Sequence, residues 1–497
     1  CTAGDFPGRA ELRTSDTELF GVVAEVELEG RGADGVPILV WVEDADGVPR
    51  SPPVEVPAGG AAQLPVRGLA PGSSPALRVV ADEGGRRRMT GATTVEVAPV
   101  PADWPACSLT VPDTTGALDA DAVICTNGVQ SADGRGLVYC VDREGQPRWA
   151  VPHPGGAKMR VMEPIDGGGF AAVSMSNGKV DRFDATGALQ AELSVARFSG
   201  QTRFVHEWID PHEVIELREG PWAGALAVLT VASDVVEIDG ADQTRLAYGI
   251  LVFDPATEEV LWDWSAHGEL GDDVPIDPAL DYRRLGASSS YATDFMHANA
   301  LVHHLAEGGE QRFTMSLRHQ DWIVEVDVDS DAILWRLGDG GDFTLVEDLD
   351  GAVPLPRQDW FYAQHAPAWV DSDDGHPHLL VFDNGVHRPE TDRSYSRVIE
   401  LALDVDRGLA APVFTWGEEE GEGSFFGLGG GDADLLPGGD RLLVLKGWDA
   451  AFAAVVGYPG GEVLWRMDCA DGDDEDEPYR ARYAPDLYAL DGWGEGG

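Results

Sequence analysis

One local pattern recurs along most of this chain and limits what it can fold into. A short apolar strand runs into a turn rich in Asp or Gly, and a second strand follows that ends in Trp or another bulky apolar residue. The copies are "GLVYCVDREGQPRWAV", "GKVDRFDATGALQAEL", "GILVFDPATEEVLWDW", "WIVEVDVDSDAILWRL", "SRVIELALDVDRGLAAPVFTW" and "AFAAVVGYPGGEVLWRM". Within "WIVEVDVD", Trp322, Val324, Val326 and Val328 share one face, as a half-buried strand demands. A spacing of roughly 40 to 75 residues suits four-stranded units with long inserted loops. Six such hairpins predict an all-β chain with a six-bladed β-propeller over 107–490.

Ahead of it, residues 19–100 alternate short strands with turns about every ten residues, the habit of a small β-sandwich. Residues 1–18 read as a flexible N-terminal segment, and "APVPADWPA" as a proline-rich linker. With 497 residues the chain is too long for one ordinary core, a limit that repeat architectures escape.

The formal charge is −52, from 87 acidic and 35 basic residues, and Lys158, Lys179 and Lys446 are the only lysines. Such a surface repels nucleic acid and anionic lipid and suits a salty or extracellular medium. Neither "DVDSD" (327–331) nor "DSDDG" (371–375) keeps calcium-loop spacing with a closing Glu, so both read as turns. The opening "CTAGDFPG" resembles the mature end of a bacterial lipoprotein, with the lipid on Cys1. Cys107, Cys125, Cys140 and Cys469 show no metal spacing, and in an exported chain they predict disulfides. Three pairings are open. Closure of a propeller through its first and last strands would put Cys469 in one of the bridges.

In a propeller, loops from every blade meet at one end of the central channel. Four polar positions precede or begin apolar strands: His212 in "IDPHEVIEL", His297 and Asn299 in "DFMHANALVHH", Arg318 in "SLRHQDWIVEVD", and His365 in "YAQHAPAWV". Together they are rich in donors and hold no carboxylate, which suits an anion. A lone histidine beside an apolar strand is usually a satisfied structural residue, and His303, His304, His319, His376, His378 and His387 are read so. No HxH or HExxH pair is present among the candidate histidines and Arg318 would repel a dication, so no metal is expected. Trp360, Phe361, Tyr362 and Trp369 surround His365 in sequence and would accommodate an aryl ring, with core packing the expected role of at least two of them.

"HANAL", "LRHQ", "QHAPAW", "FDNG" and "YSRVIELALD", in that order, resemble the bacterial arylsulfate sulfotransferases, exported six-bladed propellers with an N-terminal β-sandwich. The closing "YRARYAPDLYAL" is similar to that family's last strand. The resemblance implies that His365 is the nucleophile that becomes sulfated. It gives His297, Asn299 and Arg318 to the sulfuryl group, and it makes His212 the remaining active-site histidine, although Pro211 stands where a second histidine is frequent. It also implies a small aryl sulfate donor and a phenolic acceptor, with no cofactor and no nucleotide sulfate. The residues fit that chemistry, for neutral imidazole is both a competent nucleophile and a good leaving group. His212 or His297 would move the phenol proton. Two other readings are a non-catalytic ligand-binding propeller and, from the repeated "LWDW", "LWRL" and "LWRM", a quinone-dependent dehydrogenase. The second would require carboxylates at the channel positions that His, Asn and Arg occupy.

Overall fold

The computed structural model describes the chain outside residues 1–5, 30–37, 131–133, 166–167, 176–177, 239–240, 267–269, 271–281, 285–290, 390–393, 418–423, 449, 470–477 and 489–497. It is all-β. Helix among the described residues is limited to short 3₁₀ turns.

From Val123 to Ala484 the described residues build six sheets in order of sequence, antiparallel except for short parallel pairings in the third and fifth. The second is the simplest, with Met159–Pro164, Phe170–Ser174, Lys179–Phe183 and Leu189–Ser194 each paired to the next. The third opens with Trp208–Glu216, the fourth with Ala298–Leu305 and the sixth with Asp432–Leu435; the fifth is built from His365–Val370 onward, with the short Thr344–Leu345 added at its far edge. The first sheet takes an edge strand from the far end of the sequence, because Ala481–Ala484 pairs with Val123–Gln130. The sixth gains Cys107–Val111 beside Val463–Cys469, and a disulfide joins Cys107 to Cys469. The second bridge, Cys125–Cys140, spans directly opposed residues of the first sheet. Cys469 is thus bridged as expected, and to the first of these strands.

The strands are more apolar than half-buried strands need to be, and the packing explains why. In Trp322–Asp327, Val324 and Val326 pack with Ile250 and Trp264 of the third sheet, while Ile323 packs with Leu379 and Ile399 of the fifth. Both faces are covered, which corrects the half-buried expectation. The same holds all along the series, for one apolar layer lies between each pair of successive sheets. A sixth layer joins Leu443, Leu445 and Trp465 of the last sheet to Ile124, Tyr139 and Val141 of the first. The tryptophans that end the hairpins fasten neighbours together. The indole N–H of Trp264 donates to the Asp331 carbonyl, that of Trp416 to Gly461, and that of Trp465 to Arg143, each on the next sheet, at 2.8, 3.0 and 2.8 Å. A buried indole must find such a partner, so these residues set spacing as well as filling volume.

The N-terminal region forms two further sheets around a core of its own that includes Val22, Val40, Leu64 and Val79. One sheet starts at Gly8–Thr14, which pairs with Val22–Leu28. Residues 8–14 are therefore part of the sandwich, and the flexible reading of 1–18 is corrected there; Cys1 lies outside the described residues. Glu18 is buried where the two regions meet. It is paired with Arg67 of its own region at 2.6 Å and accepts from the Trp149 indole of the first sheet at 2.9 Å, so the buried carboxylate ties the two together through that indole.

Candidate active site

The opening strands of the second to sixth sheets lie side by side, and four of them break register near their start. Pairing skips Arg160 between Met159 and Val161, lapses around His212 between Ile209 and Val214, skips Asn299 between Ala298 and Ala300, and lapses between His365 and Ala368. Such bulges re-aim side chains that a regular ladder would send into the layers between sheets. After His365, Pro367 has no N–H to give a ladder, and Ala366 sits at φ +47°.

Two of these breaks, at His212 and His365, lead into a chain of rings that His319, His297 and Tyr479 complete. His319 and His297 have ring centres 4.6 Å apart, and His297 and His212 are 4.9 Å apart. Tyr479 follows at 5.7 Å from His212 and lies 5.9 Å from His365. Carboxylates orient two of these imidazoles. Asp210 accepts from His212 Nδ1, and Asp294 accepts from His297 Nδ1 at 2.7 Å. Arg160 Nη1 donates to His212 Nε2 at 2.8 Å, and Arg318 Nη1 donates to His319 Nε2 at 2.9 Å. Arg318 also reaches the Leu428 carbonyl at 2.9 Å. Asn299 is fully buried and gives one amide hydrogen to the Gln364 carbonyl at 2.8 Å, beside His365. Its Oδ1 has no hydrogen-bond partner among the described residues.

His365 itself is 2% exposed. Its Nδ1 lies 2.6 Å from Asn384 Oδ1, and its Nε2 faces the Gly430 N–H at 3.3 Å. Burial, then the nearby guanidiniums of Arg318 and Arg480, holds this imidazole well below the usual histidine range. It is neutral at pH 7. An arginine-rich surround and a neutral imidazole together favour an anionic guest and an electron pair to attack it with.

All five polar residues singled out in the sequence are therefore in or against this cluster. The aromatic collar is not. Phe361 is fully buried in the layer between the fourth and fifth sheets. Tyr362 packs there too, with its hydroxyl bound to Asp339 and to the Arg357 carbonyl. Trp369 donates to Thr314 Oγ1 at 3.0 Å and faces a separate cavity, and Trp360 is core. Proximity in sequence misled here because Trp360, Phe361, Tyr362 and Trp369 all pack in or against the layer between the fourth and fifth sheets, while His365 turns to the ring cluster.

Other members of the cluster were missed. His319, read as structural, closes the row of imidazoles. Tyr479 is buried with its hydroxyl lacking a partner among the described residues, and the guanidiniums of Arg160 and Arg480 lie 4.7 and 5.3 Å from its ring centre. Burial pushes that hydroxyl up to about 12. The spacings Asp210-x-His212 and Asp294-x-x-His297 were a usable signal for the orienting acids; nothing local marked Tyr479 or Arg160. Asp294, His297 and His319 also bring possible ligand atoms within 4.8 Å of one another. However, His297 Nδ1 is engaged by Asp294, and Arg318 donates to His319 Nε2, so a dication would displace existing bonds next to a guanidinium. His378, by contrast, is held by Glu400 and Asp374, as a structural histidine is. The "DVDSD" and "DSDDG" stretches are turns whose carboxylates accept backbone N–H groups.

The profile of the arylsulfotransferase (ASST) family matches residues 109–463. The chain belongs to that family. Its class of activity is aryl sulfotransfer, between small aryl donors and acceptors. A search of curated proteins found no match. Among solved structures, the chain is similar at 10% identity to dihydro-haem d1 dehydrogenase NirN, covering 94% of this chain and 81% of that one with a TM-score of 0.34. A protein of unknown function from Bacteroides caccae aligns at 10% identity, 70% and 94% coverage and a TM-score of 0.39. Hydrazine synthase from Kuenenia stuttgartiensis aligns at 11% identity, 70% and 83% coverage and a TM-score of 0.34. Overlaps this loose carry no argument about the arylsulfotransferase site.

Proposed function

We propose that the six sheets form a six-bladed β-propeller. On this reading the cluster at one end of its channel moves a sulfuryl group from an aryl sulfate to a phenol, by a ping-pong route through sulfated His365. Six apolar layers support the propeller, the sixth of which returns from the last sheet to the first. The observation that carries the chemistry is a buried, neutral His365 set among arginines.

In the first half-reaction, the Nε2 lone pair attacks sulfur and the S–O bond to the aryl group breaks. The phenolate takes a proton from the imidazolium form of His297 or His212, whose Nδ1 atoms are held by Asp294 and Asp210; for His212, Nε2 must first give up the hydrogen bond it accepts from Arg160. Arg318 and Asn299 steady the sulfonate oxygens. In the second half, an acceptor phenol gives its proton to the same base and its oxygen attacks sulfur. The N–S bond then breaks and His365 is restored. Nothing in this sequence of steps requires a nucleotide donor or a cofactor. The protein is read as exported, which two disulfides favour.

The test is a single-turnover experiment with 4-nitrophenyl sulfate and no acceptor. A burst of nitrophenol and one added sulfuryl mass on His365 are expected, followed by its loss on adding phenol. Label on another residue, or transfer only when both substrates are present, would overturn the route. A ligand-binding protein would give no phenol at all.

A further inference from the structure

The glycine run "GLGGG", residues 427–431, and the asparagine of "FDNG" have no part in the steps above, yet both lie against His365. Asn384 is fully buried, and its amide can be read in only one sense. Its Nδ2 lies 2.9 Å from the Gly427 carbonyl and 2.9 Å from the Gly430 carbonyl, which uses both amide hydrogens. The end facing His365 is therefore the oxygen, an acceptor, and the imidazole nitrogen 2.6 Å away must carry a hydrogen. That nitrogen is Nδ1. In a neutral ring the lone pair is then on Nε2, the nitrogen that faces the Gly430 N–H.

The surroundings hold this clamp rigidly. Ser396 donates to the Asn384 carbonyl at 2.8 Å and accepts from the Gly427 N–H at 2.9 Å, tying the two segments together. Asp383 binds the Tyr362 N–H at 2.9 Å, and Arg388 and Arg397 at 2.6 and 2.8 Å, so the approach to His365 and the start of the turn share one anchor. The glycines allow the close approach. At Gly431, φ is +127° and a Cβ would stand 2.4 Å from the Phe382 ring; at Gly430, φ is +65°.

We propose that Asn384, clamped by the Gly427 and Gly430 carbonyls, is the positioning residue that fixes His365 as its Nδ1–H tautomer and presents the Nε2 lone pair for attack on sulfur. Gly430 N–H adds a second function. Once sulfur is bonded to Nε2 that nitrogen no longer accepts, and the N–H is left beside the sulfonate oxygens as a donor to them. The inference rests on His365 as the attacking group, but its first test needs no turnover.

Nitrogen-15 NMR of histidine-labelled wild-type protein reads the tautomer directly. His365 should show a protonated Nδ1 and an unprotonated Nε2 at neutral pH. The opposite tautomer would overturn the inference even if His365 is sulfated; the expected tautomer without sulfation would overturn the transfer mechanism and leave this assignment standing. Asn384→Ala should mix the two tautomers and lower donor-side kcat/KM by about 10–100-fold, as loss of an orienting partner does. Unchanged tautomer and rate in that variant would also sink the idea. Asn384→Asp keeps the acceptor but adds a negative charge, which favours imidazolium. The acidic limb of its donor-side pH profile should therefore move to higher pH, with activity recovering as pH rises. A merely structural role would lower the rate at every pH alike, and that result would overturn the proposal. If Asn384→Ala does not fold, the wild-type spectrum and the Asn384→Asp profile decide.

Discussion

Five segments, four strands and the lead-in to the last one, run from one chemistry to another. Arg160 is followed by Glu163, His212 by Glu216, Asn299 by His303, His365 by Trp369, and Tyr479 by Tyr483. In each case the first residue belongs to the imidazole cluster and the second lines a cavity of about 700 Å³. At the imidazole end Arg160 donates to His212, and Arg318 to His319 and the Leu428 carbonyl. At the cavity end they meet acids. Arg480 bridges Glu213 and Asp432 at 3.1 and 3.3 Å, Arg482 pairs with Asp434 at 3.0 Å, and Arg218 with Glu163 at 3.2 Å. On the proposed function the same side chain would serve an anion at one end, while at the other it spends its charge on carboxylates. What separates a binding arginine from a structural one is the partner it already has, which residue type alone does not reveal.

The comparison predicts that substitutions at the imidazole end cost rate and those at the acid end cost stability. The largest expected effect is at His365. His365→Asn should fold with a normal melting curve yet lose at least about 10⁴-fold in transfer, the scale for removing a nucleophile. It should show neither phenol burst nor mass gain. Near-normal transfer would end the distinction at its strongest point.

Arg480 comes next, because it stands between the two ends. Arg480→Ala leaves Glu213 buried without its guanidinium and Asp432 with Arg482 alone, and breaking such a buried pair costs about 3–5 kcal/mol. Urea denaturation should record that loss. Arg318→Ala should show the reverse pattern, with the denaturation midpoint nearly unchanged and turnover lower by roughly 10²–10³. If Arg318→Ala instead destabilises and spares turnover, its role is structural and the two ends are not different in kind.

How much of this could be read from residues in order depended on whether the signal was local. The strand–turn–strand–Trp unit is local, so its six copies announced the sheets. The burial of both faces was not, because it depends on what lies beside each sheet; Ile323 and Val324 are neighbours in sequence and belong to different layers. His212, His297, Asn299, Arg318 and His365 were legible from polar residues at strand starts. Tyr479 and Arg160 were not, since only pairing of the last strand with the first sheet, and a bulge at Arg160, bring them to the cluster. Phe361, Tyr362 and Trp369 show the opposite error, in which nearness to His365 in sequence suggested a role that the packing gives to the core.

The smallest effect is on the pH dependence of stability, and here the two ends should pull in opposite directions. His365 has its affinity for protons lowered by burial first and then by Arg318 and Arg480. The unfolded chain takes up a proton near the ordinary histidine value of about 6.5 while the folded one does not, so this end loses stability as pH falls below that value. Glu213 is raised to about 7, because burial outweighs the pull of Arg480 and Arg482, and Asp434 is raised to about 6 by burial and Asp432. These acids hold protons in the folded state after the unfolded chain has released them. The cavity end therefore loses stability as pH rises from the ordinary carboxylate range of about 4.3 towards 7. Glu213→Gln removes one such group, so its stability relative to wild type should improve between about pH 5 and about pH 7.5, by on the order of 1–2 kcal/mol. His365→Asn should instead gain relative to wild type as pH falls below about 6.5. Urea midpoints of both variants across that range test the pair of signs. Curves parallel to wild type in both would mean that neither end keeps the protonation its surroundings impose.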